Sequence, residues 1–425
     1  MIKLENVHLE NFRGFSDIKV DLNEKFTCIA GINGAGKTTI LDAIANNLSW
    51  VREMLLPVHH NGEFVKKEDK KKDSTFATKI ESDINVNGII KQIAVGYDST
   101  PGITINFADK PELQALYKEI QKYYTPNNLK ENLPVVAYYP INRSELEIDV
   151  NIESEKDLSD KYEAYTNCLS TAVHYKEFFR WFRDREDREN AEMVARFKKQ
   201  NNSNYEDIEL KAVRLAITSL LPEFGEMTVD RKRLTVTLNK NGTELDFSKL
   251  SDGEKNIIAL FGDIARRLAI LNENLKNPLD GNGIILIDEI ELHLHPSWQR
   301  KICKALKETF PNCQFIITTH SPQVLGELKT DELWLLNNFN IYRPDSSYGL
   351  SSNEILDEIM DVVDGDNSLS RDSEIAKKIS EVANFIELEK FDEAKEVIEQ
   401  IEKITGGEIH ETVKYKTAID MMKDE

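Results

Sequence analysis

The chain has 425 residues, more than the ~150 of one minimal domain, and 40% apolar with 30% charged residues is the make-up of a folded protein with a sizeable core rather than of a disordered one. Its 74 acidic against 54 basic residues, a formal charge of −20, exclude a surface coated with nucleic-acid-binding charge and confine any such contact to a local basic patch. No apolar run approaches the ~20 residues of a membrane span, MIKLENVHLENFRGF does not read as a secretion signal, and four scattered cysteines without a CxxC pair (Cys28, Cys168, Cys303, Cys313) suit a reducing cytoplasm.

In chain order, Ile2–Leu9 alternates apolar and polar residues and Phe26–Ala30 is a short apolar run, so both are predicted strands. Lys37–Leu48 has helical periodicity through Ile40, Leu41, Ile44 and Ala45. Between strand and helix, Gly31-Ile32-Asn33-Gly34-Ala35-Gly36-Lys37-Thr38 satisfies GxxxxGK[ST]. Glycines let backbone N–H groups close on phosphate oxygens, and the helix adds its positive end. Asn33, Gly34, Ala35, Gly36, Lys37, Thr38 and Thr39 are therefore the candidate ATP-binding residues, with Lys37 on the β- and γ-phosphates and the Thr38 hydroxyl on Mg²⁺.

Lys66–Lys72 is rich in lysine and reads either as a contact for phosphate backbones or as a disordered, solvated loop. Short β-like runs between Phe76 and Tyr97 are broken by Asn87-Gly88, a hairpin dipeptide. Val135–Tyr139 is a predicted strand, and after it Asn142 and Arg143 are candidates for a nucleotide-facing loop that lacks the usual glutamine, with a plain loop equally open. From Asp157 to Leu221 the pattern is helical; Phe178, Trp181 and Phe182 share one helix face, which favours core or oligomer packing over base stacking. Leu234–Leu238, Asn241-Gly242 and Thr243–Phe247 read as a second hairpin, then come a helix from Gly253 to Asn272, a strand at Ile284–Ile287, a helix over Ser297–Thr309, and strands at Phe315–Thr318 and Trp334–Leu336. From Ser351 onward 21 acidic residues face 9 basic ones, a net of −12, over two amphipathic helices.

The strand Ile284–Ile287 ends in Asp288-Glu289. Asp288 is the second candidate for Mg²⁺, and Glu289 is the candidate general base that polarises water. Leu250-Ser251-Asp252-Gly253-Glu254, 37 residues before Asp288 counted from Ser251, resembles the signature of ABC-type ATPases. In that superfamily Ser251, Gly253 and Glu254 would cradle the γ-phosphate held by the opposite subunit; a simple N-cap is the lesser alternative for Ser251. Thr319-His320 resembles the switch histidine, which makes His320 a candidate catalytic residue, and Arg13 in Asn11-Phe12-Arg13-Gly14-Phe15 resembles the nucleotide-side basic residue of RecF- and SMC-like heads. The D-loop spacing is present, but His295 stands where that superfamily has aspartate.

These resemblances imply an α/β fold: a P-loop ABC-type head of the RecF, SMC and OLD kind, with mixed β-sheets flanked by helices. The expected division is an N-terminal lobe over 1–150, a helical insertion over 151–225, a C-terminal lobe over 226–345 and an acidic helical tail over 346–425 for partner docking. The roughly 210 residues between P-loop and signature hold no long heptad array, so SMC-type arms are not expected. Asp364-Gly365-Asp366 reads as an acidic loop rather than a nuclease DxD, and no second catalytic centre is apparent. YYPINRSELEIDV, FFRWFRDREDREN, LSDGEKNIIALFGDIARRLAI, LIDEIELHLHPSWQRKI and CQFIITTHSPQVL resemble the PtuA family, the ATPases of Septu anti-phage systems and some retrons. That resemblance implies ATP and Mg²⁺ as cofactors, a homodimer or higher homo-oligomer, and a separate HNH nuclease of the PtuB type as partner. It further implies nucleic acid engaged through the complex and, in a retron, a reverse transcriptase and its DNA. A RecF-type repair ATPase and an ATP-locked regulatory scaffold are the alternatives.

Overall fold

Phe26–Gly31 is buried at every position, which suits an interior strand of a sheet covered on both faces. The computed structural model, which describes residues 1–58, 60–72, 74–98, 105–124, 131–141, 161–170, 176–200, 205–232, 235–360 and 373–423, places it so. The chain divides into two compact units, Met1–Gly349 and Leu350–Glu425.

The first unit runs β1 (Ile2–Glu10), β2 (Asp17–Asp21), β3 (Phe26–Gly31), α1 (Lys37–Leu55), β4 (Thr78–Val86), β5 (Ile89–Asp98), β6 (Ile105–Ala108), α2 (Lys110–Gln121), β7 (Val135–Tyr139), α3 (Lys176–Gln200), α4 (Ile208–Leu220), β8 (Phe224–Asp230), β9 (Thr235–Lys240), β10 (Thr243–Asp246), α5 (Asp252–Leu271), β11 (Gly283–Ile287), α6 (Pro296–Thr309), β12 (Cys313–Thr319), α7 (Pro322–Leu325), β13 (Leu333–Asn337) and β14 (Asn340–Tyr342). Among the described residues the strands form three sheets: β2-β1-β4-β5-β6, β10-β9-β8, and the six-stranded β14-β13-β3-β12-β11-β7. In the last, β13, β3, β12, β11 and β7 are parallel and β14 is antiparallel. Residues from both expected lobes therefore share one sheet. Buried Gln314 of β12 reaches the first sheet: its carbonyl accepts the Leu4 N–H at 2.8 Å and its amide donates to Leu4 O at 2.7 Å and Asn23 O at 3.0 Å.

Both hairpin dipeptides have positive φ at each residue, 49° and 90° for Asn87-Gly88, 50° and 85° for Asn241-Gly242, the type I′ geometry that matches strand twist. Helix α5 is buried along nearly its whole length. Phe178, Phe179, Trp181 and Phe182 are all buried, and Phe178 packs against Gly262 of α5, so the aromatic face is core, as its spacing predicts.

Several expectations change. The lysine stretch is not a disordered loop: Lys67–Asp69 forms a 3-10 turn, Lys70 bridges Phe12, and Lys71 N donates to Asn11 O at 2.8 Å. α1 continues seven residues past Leu48 because its inner face stays apolar through Trp50, Val51, Met54 and Leu55. Asn142, Arg143 and Asp364-Gly365-Asp366 lie outside the described residues. All four cysteines are buried thiols. Among the described residues, no helix is long and apolar enough to cross a membrane.

In the second unit α8 (Ser373–Glu387), α9 (Phe391–Thr405) and α10 (His410–Lys423) enclose a core of Ile375, Val382, Ala394, Val397, Ile398, Ile401 and Ile419.

Candidate active site

Four parallel strands, β3, β12, β11 and β7, end side by side, and the loops leaving their carboxyl ends carry the predicted chemistry, the usual place for ligands on an open α/β sheet. From β3 the chain enters the P-loop. Gly34 and Gly36 have φ of 80° and 106°, a region that costs any residue with a Cβ. A Cβ on Gly36 would also stand 2.7 Å from the Phe15 ring, and one on Gly31 2.4 Å from Leu336 O. Asn33 and Gly34 are exposed, Ala35 is buried and Thr39 half-buried.

Buried Lys37 hydrogen-bonds the carbonyls of Gly31 at 2.8 Å and Ile32 at 3.0 Å. Burial lowers its pKa, while the carboxylates of Glu289, Glu291 and Asp288 act in the opposite sense. The Thr38 hydroxyl donates to Asp288 Oδ2 at 2.7 Å. Asp288, wholly buried, takes the Thr318 hydroxyl on its other oxygen and donates its own N–H to Tyr139 O at 2.9 Å. Thr318 Oγ1 in turn accepts the Glu289 N–H at 2.8 Å, which holds Glu289 at a φ of 46°. Thr38 and Asp288 offer a hydroxyl and a carboxylate, hard donors of the kind Mg²⁺ takes. The two oxygens lie 2.7 Å apart, joined by the hydroxyl's hydrogen bond. The pair fits the ion.

His320, just beyond β12, is half-exposed, and Nδ1 lies 3.0 Å from Glu291 Oε1. That bond raises the His320 pKa against the opposing effect of burial, and Glu289 adds to it while Lys37 subtracts. The structure thus brings Lys37, Thr38, Asp288, Glu289 and His320 together.

The remaining predicted residues are engaged elsewhere. Arg13 bonds Asp42 of α1 at 2.6 Å and Asp69 at 2.9 Å. Tyr138 OH donates to the other Asp42 oxygen at 3.0 Å, and burial lifts its pKa. Ser251 is the N-cap of α5 in a capping box, its hydroxyl near the Glu254 N–H and its own N–H on Glu254 Oε2 at 2.8 Å. Glu254 is buried and paired with Lys240. Gly253 is required by contact as well, since a Cβ there would stand 2.6 Å from His293 O. His295 caps α6, its Nδ1 accepting the Ser297 N–H at 3.3 Å, the capping work an aspartate does in that position.

Sequence reasoning missed Glu291, Thr318, Asp42 and Tyr138. An acid three residues after Asp288 was visible, but nothing in spacing links it to His320.

A family model of the AAA ATPase domain matches residues 2–325. The chain belongs to this family. It is an ATPase built on an α/β P-loop head with a C-terminal helical region. Its sequence is 32% identical to "Retron Ec83 probable ATPase" of Escherichia coli over 92% of this chain and 81% of that one. It is 24% identical to Septu protein PtuA of Bacillus thuringiensis over 85% and 84% respectively. The ATPase is thus PtuA-like over most of its length. Among solved structures, the SMC head domain from Thermotoga maritima matches at 16% identity and a TM-score of 0.43, covering 80% of this chain and 98% of that one.

Proposed function

We propose that this ATPase is the regulatory engine of an anti-phage complex, closing as a homodimer or higher homo-oligomer around ATP and Mg²⁺ and governing a separate HNH nuclease of the PtuB type. The observation that supports it best is the hydrogen-bonded chain Thr38–Asp288–Thr318–Glu289, which ties the P-loop helix to the carboxylates at the end of β11. Lys37, held at the mouth of the P-loop, binds the β- and γ-phosphates and offsets their charge. Thr38 and Asp288 would hold Mg²⁺, which would supply neutralisation of phosphate charge. Glu289 accepts the proton of the attacking water, and His320 contacts the γ-phosphate. Ser251, Gly253 and Glu254 at the tip of α5 serve the nucleotide of a second copy, the helix end supplying positive potential. Arg13 serves the nucleotide side once released from Asp42 and Asp69.

The likeness to retron and Septu proteins supports partners of a defence system, which in this reading are nucleic acid reached through the complex and, in a retron setting, a reverse transcriptase with its DNA. The acidic Leu350–Glu425 unit is the docking surface for a basic partner. Lys37→Ala is expected to abolish ATP binding by calorimetry, and Glu289→Gln to bind ATP while kcat drops about 100-fold or more. Normal hydrolysis by both would defeat the assignment. Co-expression with an HNH nuclease should yield a stable complex whose cleavage responds to Glu289→Gln. A second reading, an ATP-locked scaffold with slow turnover, is favoured by one observation: the D-loop position presents His295, and its ring is spent on capping α6.

A further inference from the structure

Glu291 belongs to none of the phosphate or metal motifs, yet both its oxygens are committed to the segment that carries His320. Oε1 accepts the His320 N–H at 2.6 Å and lies 3.0 Å from Nδ1; Oε2 accepts the Thr319 hydroxyl at 2.8 Å. The carboxylate is only 6% exposed, and a group so buried is tolerated where donors surround it. Burial alone would raise its pKa, but the bonds from His320 outweigh that and leave it below the usual carboxylate range.

The ring consequences follow from donor chemistry. A carboxylate only accepts, so Nδ1 carries a proton, and Nε2 takes no part in that bond, on a side chain that is 45% exposed. The charged groups that act on the ring include Glu291, Glu289 and Lys37.

We propose that Glu291 is a positioning residue for ATP hydrolysis: through Nδ1 and the main-chain N–H its carboxylate fixes the His320 imidazole so that Nε2 faces the terminal phosphate held by the P-loop. Glu291 itself touches no nucleotide. A donor at Nε2 requires the doubly protonated ring, which an adjacent carboxylate favours. The proposal rests on His320 acting in hydrolysis as described above, and the experiment separates the two.

Steady-state hydrolysis and ATP affinity are measured on the full chain for Glu291→Gln, His320→Ala and the double variant. Glu291→Gln is expected to lower kcat ~10- to 100-fold by loosening the ring while ATP Kd stays within about twofold, as expected of a group that does not bind ground-state ATP. Its alkaline limb in the kcat–pH profile should move to lower pH. The double variant should be no slower than His320→Ala, because Glu291 acts through that ring. A Glu291→Gln enzyme with normal kcat, or one whose loss multiplies that of His320→Ala, overturns the proposal alone. Full activity of His320→Ala overturns the role of His320 and the proposal with it. Unaltered protein supplies a check that needs no folded variant: its alkaline limb should lie above the ordinary histidine value of 6.5, and a limb at or below that value overturns the proposal.

Discussion

The Thr318 hydroxyl donates to Asp288 and accepts the Glu289 N–H, so one small side chain orients both neighbouring carboxylate residues. Thr318→Val keeps the shape of the side chain and removes both bonds. Each buried group left without its partner costs about 1–3 kcal/mol. We expect a lower melting temperature and a kcat loss larger than the loss in ATP affinity, read by calorimetry and steady-state kinetics; equal kcat with a lowered melting temperature would restrict Thr318 to stability. The P-loop was legible because all its parts are contiguous in sequence and its glycines are demanded by φ at Gly34 and Gly36 and by close contact at Gly31. Thr318 and Glu291 were not, because their partners lie about 30 residues away, across a strand pair whose register no local pattern displays. Gly253 was found for one reason, an approach to phosphate, and the structure supplies another, its contact with His293 O.

Helix α5 carries a buried triad: Asp263 bonds Arg266 at 2.8 Å and Arg267 at 2.7 Å, and accepts Tyr139 OH at 2.8 Å. Tyr139 closes β7, and its carbonyl holds the Asp288 N–H, so the helix that begins at Ser251 is joined through one residue to the metal-side carboxylate. Burial alone would raise the Asp263 pKa; Arg267 and Arg266 outweigh it and hold the carboxyl well below the usual range. A depressed folded pKa contributes stability that is complete above the unfolded value, 3.8, and drains as pH falls below it toward the folded value. Asp263→Asn should therefore cost about 3–5 kcal/mol at pH 7, where it strands two buried guanidinium groups. Urea titrations at several pH values should show the gap from the parent protein narrowing only in acid; a gap constant down to pH ~3 would remove the triad from the ledger of acid stability. Long periodic helices and both hairpins were readable from pattern. The lysine stretch was misread because the Phe12–Lys70 bridge that orders it joins residues far apart in sequence. α10 was missed because Ile419 is buried while Val413, Met421 and Met422 are exposed, so no single apolar stripe marks it.

At the scale of the whole chain, the boundary at Gly349 separates two bodies with their own cores. A fragment ending at Gly349 is expected to melt cooperatively and hydrolyse ATP, because every phosphate- and metal-side candidate lies before it. Loss of hydrolysis in a fragment with unchanged circular dichroism would assign the tail a part in catalysis. If the tail, with its net charge of −12 from Ser351 onward, holds a basic partner, raising salt from ~0.1 to ~0.5 M should weaken that complex by shortening the Debye length.

The amide of Gln314 does for β1 what a neighbouring strand would do. β2 pairs β1 only from Asn6 to Glu10, and a register shift between Leu4 and Asn6 marks where regular pairing with β4 is interrupted. There the Gln314 side chain takes both the N–H and the C=O of Leu4, imitating a peptide group. An open margin of this kind is where another polypeptide could zip on; with a glutamine plugged into it, Leu4 has both backbone groups taken and offers neither to such recruitment.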